Sequence, residues 1–168
     1  MQPFIDAVRK AVAEGHWHAA LALALTLPDI CGAAEDPGPG KSEARYRRWW
    51  SEWAQPAFTQ NIGPNRVPHI FLGGGDAYAL RCAYLHSGSD VIDGQKASER
   101  LKKFILTYGA NVHLNQVNDA LQMDVGQFAL TIADAVERWL RIRETDAQIS
   151  GSLKGLVELK DARNGISF

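Results

Sequence analysis

The sequence predicts a mainly α-helical domain, a bundle of helices that carries a small antiparallel β-hairpin before its last long helix. The chain has 168 residues, of which 46% are hydrophobic and 22% charged, an ordinary composition for one domain with a single core. Apolar residues recur at helical spacing near both ends, whereas the period shortens to that of strands between residues 104 and 125. We therefore expect a helical domain over 1–144, with the β insertion at about 104–125. A polar tail with one weak helix follows over 145–168.

Charge and hydropathy narrow the class of protein. The formal net charge is -1, so binding to a nucleic acid would depend on a local basic surface. The two cysteines, Cys31 and Cys82, are too few for a disulfide framework or a cysteine-based zinc site. The first residues lack the regions of a signal peptide, and the longest apolar run, 19–27, is far shorter than the ~20 residues that span a bilayer. These features predict a cytoplasmic protein without a membrane segment.

The first two helices are predicted from their apolar patterns. Residues 2–14 form an amphipathic helix that Gly15 ends. Its apolar face consists of Phe4, Ile5, Val8 and Val12. Residues 17–27 are rich in alanine and leucine on nearly every side, so this helix is expected at the centre of the bundle. Pro28 is expected to kink it, with one further turn before Gly32 closes it.

An aromatic stripe marks the third helix. A loop over 33–40 precedes this helix, Ser42 suits its N-cap, and Pro56 lies near its end. The stripe and the basic residues interleaved with it are Tyr46, Trp49, Trp50 and Trp53, and Lys41, Arg45, Arg47 and Arg48. Because such mixtures bind nucleic acids, Arg45, Arg47 and Arg48 are weak candidates for binding a substrate. The simpler interpretation is that the stripe packs in the core and the arginines are its solvated edge.

The sequence in the middle of the chain indicates less regular structure. Residues 59–75 contain two prolines and three consecutive glycines, and only 69–72 are expected to be extended. Asp76 is a suitable N-cap for a helix over 77–86, and Gly88 is a stop signal for that helix.

The sequence of the second half of the chain indicates a change from helix to strand and then back to helix. A short helix is expected at 96–103. Three short strands follow, at 104–108, 112–117 and 120–125. A turn at Asn118 and Asp119 would join the last two strands, and Asp124 would cap a final long helix that runs to about Glu144. The weak helix of the tail is expected near 153–159.

Residues 38–42, Gly-Pro-Gly-Lys-Ser, end like a phosphate-binding P-loop. The full motif requires a glycine where this chain has Glu35, and it follows a strand, whereas a helix precedes this segment. A nucleoside triphosphatase that uses Lys41 is therefore the weakest hypothesis. His16 and His18 would lie about 200° apart on a helix, and no histidine has a partner at metal-binding spacing. No metal and no other cofactor is predicted.

The predicted fourth helix holds the most specific feature, an arginine and a histidine five residues apart. An apolar seam on this helix consists of Tyr78, Cys82 and Leu85. Arg81 lies about 60° to one side of Tyr78 and His86 about 80° to the other, so the two side chains are expected to flank the seam rather than to meet. If the same helix of an identical subunit packed on the seam, two-fold symmetry would bring two such pairs together.

Arginine and histidine are sufficient for RNA cleavage without a metal. Arg81 can hold a phosphate bidentately and stabilise the charge that develops on it. His86 can move a proton to or from the ribose 2′-hydroxyl or the leaving 5′-oxygen. The alternative is that Arg81 pairs with a carboxylate and that His86 only interacts favourably with a helix C-terminus.

An arginine, four residues and a histidine near the end of a helix resemble the signature of the HEPN superfamily. The order of segments over most of 1–144 is similar to that of uncharacterised bacterial and phage proteins with a HEPN-like layout. The matching segments are the early helix ending in Leu27-Pro-Asp-Ile-Cys-Gly32, residues 46–53, residues 80–88 and the final helix with Trp139. Active members often carry a polar residue directly after the arginine, where this chain has Cys82.

The resemblance implies a HEPN-like bundle and, for many members, metal-independent endoribonuclease activity in toxin–antitoxin, phage-defence and CRISPR-associated systems. It implies that Arg81 and His86 are the catalytic residues, that the protein is a homodimer, and that RNA and an antitoxin or other protein are its partners. Tyr84, on the same helix, is a weak candidate for binding the substrate. The alternative is a non-catalytic HEPN-like module that binds a protein or a small ligand, which Cys82 and the lack of a strongly basic face favour.

Overall fold

A computed structural model describes residues 1–109 and 112–164 of the chain. The helices are α1 (Gln2–Ala13), α2 (Trp17–Glu35), α3 (Ser42–Trp49), α4 (Gly74–Ser87), α5 (Val125–Ile142) and α6 (Ala147–Lys154). The strands are β1 (Thr59–Ile62), β2 (Val67–Ile70), β3 (Lys103–Thr107), β4 (Asn115–Val117) and β5 (Ala120–Asp124). A π-helical turn over Trp50–Ala54 and a 3-10 turn over Gln55–Phe58 extend α3. The mainly α-helical class predicted from the sequence is confirmed.

Helix α2 lies at the centre of the domain, packed against α1, α3 and α5. Its length and composition would suffice to cross a membrane, but half of that stretch is buried inside the fold, which explains why it is apolar on nearly every side. The helix continues through the buried Pro28 to Glu35, so the expected closure at Gly32 was wrong. A Cβ on Gly32 would lie 3.0 Å from the carbonyl oxygen of Arg45, and this glycine therefore permits close packing of α3.

The aromatic stripe of α3 forms part of the core. Tyr46, Trp49 and Trp50 are fully buried. The Trp50 ring stacks on Phe58 and Phe128 at centroid distances of 5.2 and 6.4 Å. Its indole N–H donates to the carbonyl oxygen of Leu72 at 3.1 Å, which satisfies its polar atom. The packing interpretation of the stripe is therefore confirmed.

The β structure is richer than the sequence predicted. Strands β1 and β2 pair antiparallel within the stretch expected to be irregular. Most of their residues are exposed, so they lack the apolar alternation that indicates a strand. Before the last helix, β5 pairs antiparallel with β4 around a turn in which Asn118 has φ 56°, and parallel with β3. The insertion is therefore a three-stranded mixed sheet in the order β3-β5-β4 rather than a simple hairpin.

The helix expected at 96–103 is absent, because Asp76 binds that segment in another conformation. The carboxylate Oδ1 of the fully buried Asp76 accepts N–H groups from Glu99, Arg100 and Leu101 at 2.7, 3.2 and 3.3 Å. Asp76 is therefore not the N-cap of α4, a position that Gly73 occupies.

Helix α6 lies in the segment that was predicted to be a polar tail, and it begins earlier than the helix expected there. Asp146 caps it, accepting the N–H groups of Gln148 and Ile149 at 2.9 and 3.1 Å. Ile149 is only 4% exposed, and Gln148 donates to the carbonyl oxygen of Glu35 at 3.0 Å. The first part of the tail thus packs against the end of α2.

Candidate functional site

Helix α4 is fixed at both ends, and this positions Arg81 and His86 in its second half. A Cβ on Gly75 would lie 2.6 Å from the carbonyl oxygen of Ala97, so only glycine permits this approach of the loop to the first turn. Gly88 ends the helix with φ 62°, as the sequence predicted. Arg81 is therefore part of a rigid helix, whereas His86 lies in its last, exposed turn.

Arg81 and His86 meet within one chain. The Nη1 atom of Arg81 lies 3.4 Å from Nε2 of His86 and 4.0 Å from Sγ of Cys82. The expectation that the two side chains flank the seam without meeting was wrong, because the long arginine side chain passes over Cys82. Since arginine is only a donor, Nε2 of His86 is the acceptor in this contact.

Asp29 of α2 holds the other side of the guanidinium. Its Oδ2 accepts from Nε of Arg81 at 2.7 Å, and its Oδ1 accepts from the hydroxyl of Ser42 at 3.1 Å. The side chains of Arg81 and Asp29 are 21% and 19% exposed. Partial burial lowers the pKa of Arg81, but the charge and hydrogen bond of Asp29 outweigh it and the pKa is raised. The arginine is therefore a fixed cation, paired with a carboxylate as the alternative interpretation expects.

The apolar seam is partly covered by the chain itself. The ring of Tyr78 contacts the buried ring of Tyr46 edge to face, with centroids 5.3 Å apart, and burial raises the pKa of Tyr78. Cys82 and Leu85 are only half-buried. The surface that remains for another molecule is therefore the second half of the seam, directly beside His86.

A cavity of about 560 Å³ lies beside the ion pair. Helix α2 contributes Asp29, the start of α3 contributes Ser42 and Arg45, and α6 contributes Leu153. One side of Arg81 lines this cavity, while its Nη1 extends toward His86. The guanidinium thus lies between a cavity of mixed polar and apolar lining and the exposed end of α4.

The three arginines of α3 are bound to acceptors of the same chain. Their partners are the carbonyl oxygens of Asp36 and Gly38 for Arg45, the carboxylates of Glu43 and Glu99 for Arg47, and the carboxylate of Asp36 for Arg48. The side chains of Arg47 and Arg48 are 40% and 53% exposed. The bonds of Arg45 and Arg48 stabilise the loop over 36–41. The carboxylates beside Arg47 and Arg48 neutralise much of the positive charge predicted here. The loop follows α2 rather than a strand, which also disfavours a P-loop.

Tyr84 lies at a second cavity, of about 600 Å³. Its hydroxyl and Nδ1 of His18 are 2.7 Å apart, and their rings are nearly parallel. Trp17 and Tyr108 line the same cavity and stack with centroids 5.4 Å apart and planes 14° apart. Sequence reasoning missed this cluster, because its members come from three distant segments and share no motif.

Within 1–109 and 112–164, no three histidine, cysteine or acidic side chains form a cluster suited to a metal ion. Comparisons of the chain with protein-family models, curated proteins and solved structures find no match. Any functional conclusion therefore depends on the chemistry of α4 and its neighbours.

Proposed function

We propose that the protein is a metal-independent endoribonuclease of HEPN type, in which Arg81 and His86 act on the RNA backbone. The observation that carries the proposal is the 3.4 Å contact between a fixed guanidinium and a histidine at the exposed end of α4. Asp29 binds Nε of Arg81, so the outer edge of the guanidinium, between its two terminal nitrogens, is not used by that bond. A phosphate can accept from these nitrogens in the bidentate manner that arginine favours.

The reaction uses only groups of the chain and of the RNA. When a phosphate oxygen accepts the Nη1 donor of Arg81, Nε2 of His86 becomes free to accept the proton of the ribose 2′-hydroxyl. The 2′-oxygen forms a bond to phosphorus, and the bond from phosphorus to the 5′-oxygen breaks. An imidazolium returns a proton to the leaving 5′-oxygen, giving a 2′,3′-cyclic phosphate and a 5′-hydroxyl. Arg81 stabilises the additional negative charge on phosphorus in the transition state.

A second copy of the chain is part of the proposal. The half-buried Cys82 and Leu85 offer an apolar surface next to His86, and a two-fold interface there would bring two Arg81–His86 pairs to one cleft. One pair can then supply the base and the other the acid. The mass of the protein in solution tests this arrangement, because a monomer lacks the second pair.

Cleavage of labelled RNA in the presence of EDTA tests the activity. His86→Ala should reduce the rate about 100- to 10,000-fold, the range for loss of a general acid–base group, and Arg81→Ala should also abolish cleavage. Ser87→Ala and Arg141→Ala are matched controls, since both residues are exposed and lie outside the pair. RNA methylated at every 2′-oxygen should remain intact. Full activity in both variants, or an inactive wild-type protein, would contradict the proposal.

The ion pair between Arg81 and Asp29 favours a second candidate, a non-catalytic HEPN-like module that binds a protein or a small ligand. Here Arg81 joins α4 to α2, and His86 has no chemical role. This candidate predicts no RNA cleavage, and it predicts that Arg81→Ala lowers the unfolding temperature while His86→Ala does not. RNA cleavage by the wild-type protein separates the two candidates, because loss of the Arg81–Asp29 pair should lower the unfolding temperature under both.

A further inference from the structure

Two pairs of parallel aromatic rings line the second cavity, and together they form a largely apolar, aromatic surface. Trp17 and Tyr108 make one parallel pair, and His18 and Tyr84 make the other, with planes 14° and 9° apart. Ala19, Leu21, Leu106 and Val125 add apolar side chains to the lining, to which His16 also contributes. No lysine, arginine, aspartate or glutamate is among the described residues that line this cavity. Such a site suits a flat, uncharged ring rather than a phosphate or a carboxylate.

Tyr108 is the residue of this cluster that contributes least to the core. Its side chain is 65% exposed although it is large and aromatic, and it follows β3 at the rim of the cavity. Trp17 is held more firmly, since a Cβ on Gly126 at the start of α5 would lie 3.3 Å from its ring. The result is an exposed ring supported on one side by a fixed one, and an exposed aromatic side chain is a platform on which proteins stack unpaired bases.

The position of the cavity relates it to the proposed reaction. Tyr84 lines the cavity and lies three residues after Arg81, which is about 4.5 Å along the helix axis. Because residues three apart are neighbours on a helix surface, an RNA strand with one base against these rings can place a neighbouring phosphate toward Arg81. In this arrangement the rings bind the base and the guanidinium of Arg81 binds the phosphate, for which the cavity itself offers no lysine or arginine.

We infer that the cavity between Trp17, Tyr108, Tyr84 and His18 binds an unpaired nucleobase of a single-stranded RNA. This inference rests on the proposed function and specifies its substrate, because a base within a duplex is already stacked and cannot enter. The hydroxyl of Tyr84 and Nδ1 of His18 line the site 2.7 Å from each other, and they can exchange this contact for hydrogen bonds to a base.

Binding of an RNA that cannot be cleaved tests the inference separately from catalysis. The probe is a fluorescently labelled six-nucleotide RNA, methylated at every 2′-oxygen, and its affinity is measured by fluorescence anisotropy. Tyr108→Ala should weaken binding about 5- to 150-fold, as expected from the 1–3 kcal/mol of a base–aromatic stack. Tyr108→Phe should bind like the wild type, because it retains the ring. Ile105→Ala is the matched control, since Ile105 is an exposed residue of β3 outside the cavity lining.

The possible outcomes separate the two proposals. If Tyr108→Ala binds as tightly as the wild type, or if a duplex of the same sequence binds as tightly as the single strand, the stacking site is wrong even when the wild type cleaves RNA. If binding depends on Tyr108 but the wild type cleaves no RNA, the stacking site is correct and the ribonuclease proposal fails. Absence of both binding and cleavage overturns both.

Discussion

Helices α3 and α4 both place arginines beside aromatic rings, yet the structure uses them differently. In α3 the rings of Tyr46, Trp49 and Trp50 are fully buried, and each neighbouring arginine is bound to acceptors of its own chain. In α4 the guanidinium of Arg81 is anchored through one nitrogen and extends toward His86 at the exposed end of the helix. Arginines of both helices have acceptors in their own chain, but only Arg81 also contacts a histidine, at 3.4 Å. The difference shows that the group beside an arginine, rather than the number of arginines, marks a candidate site.

The largest effect in this comparison is expected from the core of α3. Trp50→Ala should lower the free energy of unfolding by about 3–5 kcal/mol, because a fully buried tryptophan leaves a cavity. Urea denaturation measures this change. The exposed Tyr108 provides the control, and its replacement by alanine should cost less than about 1 kcal/mol. An equally small loss at Trp50 would mean that the α3 stripe is not part of the core.

An intermediate effect is expected from the pair of Arg81 and Asp29. Both side chains are mostly buried, and a hydrogen bond to a charged group contributes about 1.5–3 kcal/mol. A double-mutant cycle with Arg81→Ala and Asp29→Ala in urea should therefore give a coupling free energy of about 1–3 kcal/mol. Coupling below about 0.5 kcal/mol would mean that Asp29 does not hold the guanidinium. The cycle of Arg81→Ala with Arg141→Ala should be additive.

The smallest effect is expected from the exposed arginines of α3. Arg48 pairs with Asp36 at 3.1 Å, but its side chain is 53% exposed, so Arg48→Ala should change the free energy of unfolding by less than about 1 kcal/mol. RNA binding should also change little, with the same dependence on salt as the wild type. A weaker, less salt-dependent binding in this variant would instead indicate that α3 contributes a phosphate contact.

Much of the secondary structure could be predicted, because its signals are local. The apolar period located α1 and α5, and Gly88 located the end of α4. The β1–β2 hairpin could not be found in this way, since its residues are mostly exposed and do not alternate between apolar and polar. The conformation of 96–103 was mispredicted because Asp76, more than twenty residues away, binds its backbone N–H groups.

The candidate site was predictable only in its residue types. The spacing of Arg81 and His86 was visible on one helix. Angular positions around a helix take no account of the length of a side chain, so the contact between the two residues was not predicted. Asp29 is 52 residues from Arg81, and Trp17 is far along the chain from Tyr108. No periodicity indicates which distant side chains will meet.

The sequence by itself determined a mainly helical domain, a central apolar α2, and a helix that carries Arg81 and His86. Only the tertiary structure decided that the arginines of α3 are bound within the chain, that Asp29 fixes Arg81, and that two aromatic pairs enclose a cavity beside Tyr84. The physical reason is that helical and strand periods depend on neighbours a few residues apart. The hydrogen bonding and exposure of a side chain depend instead on which distant segments pack against it.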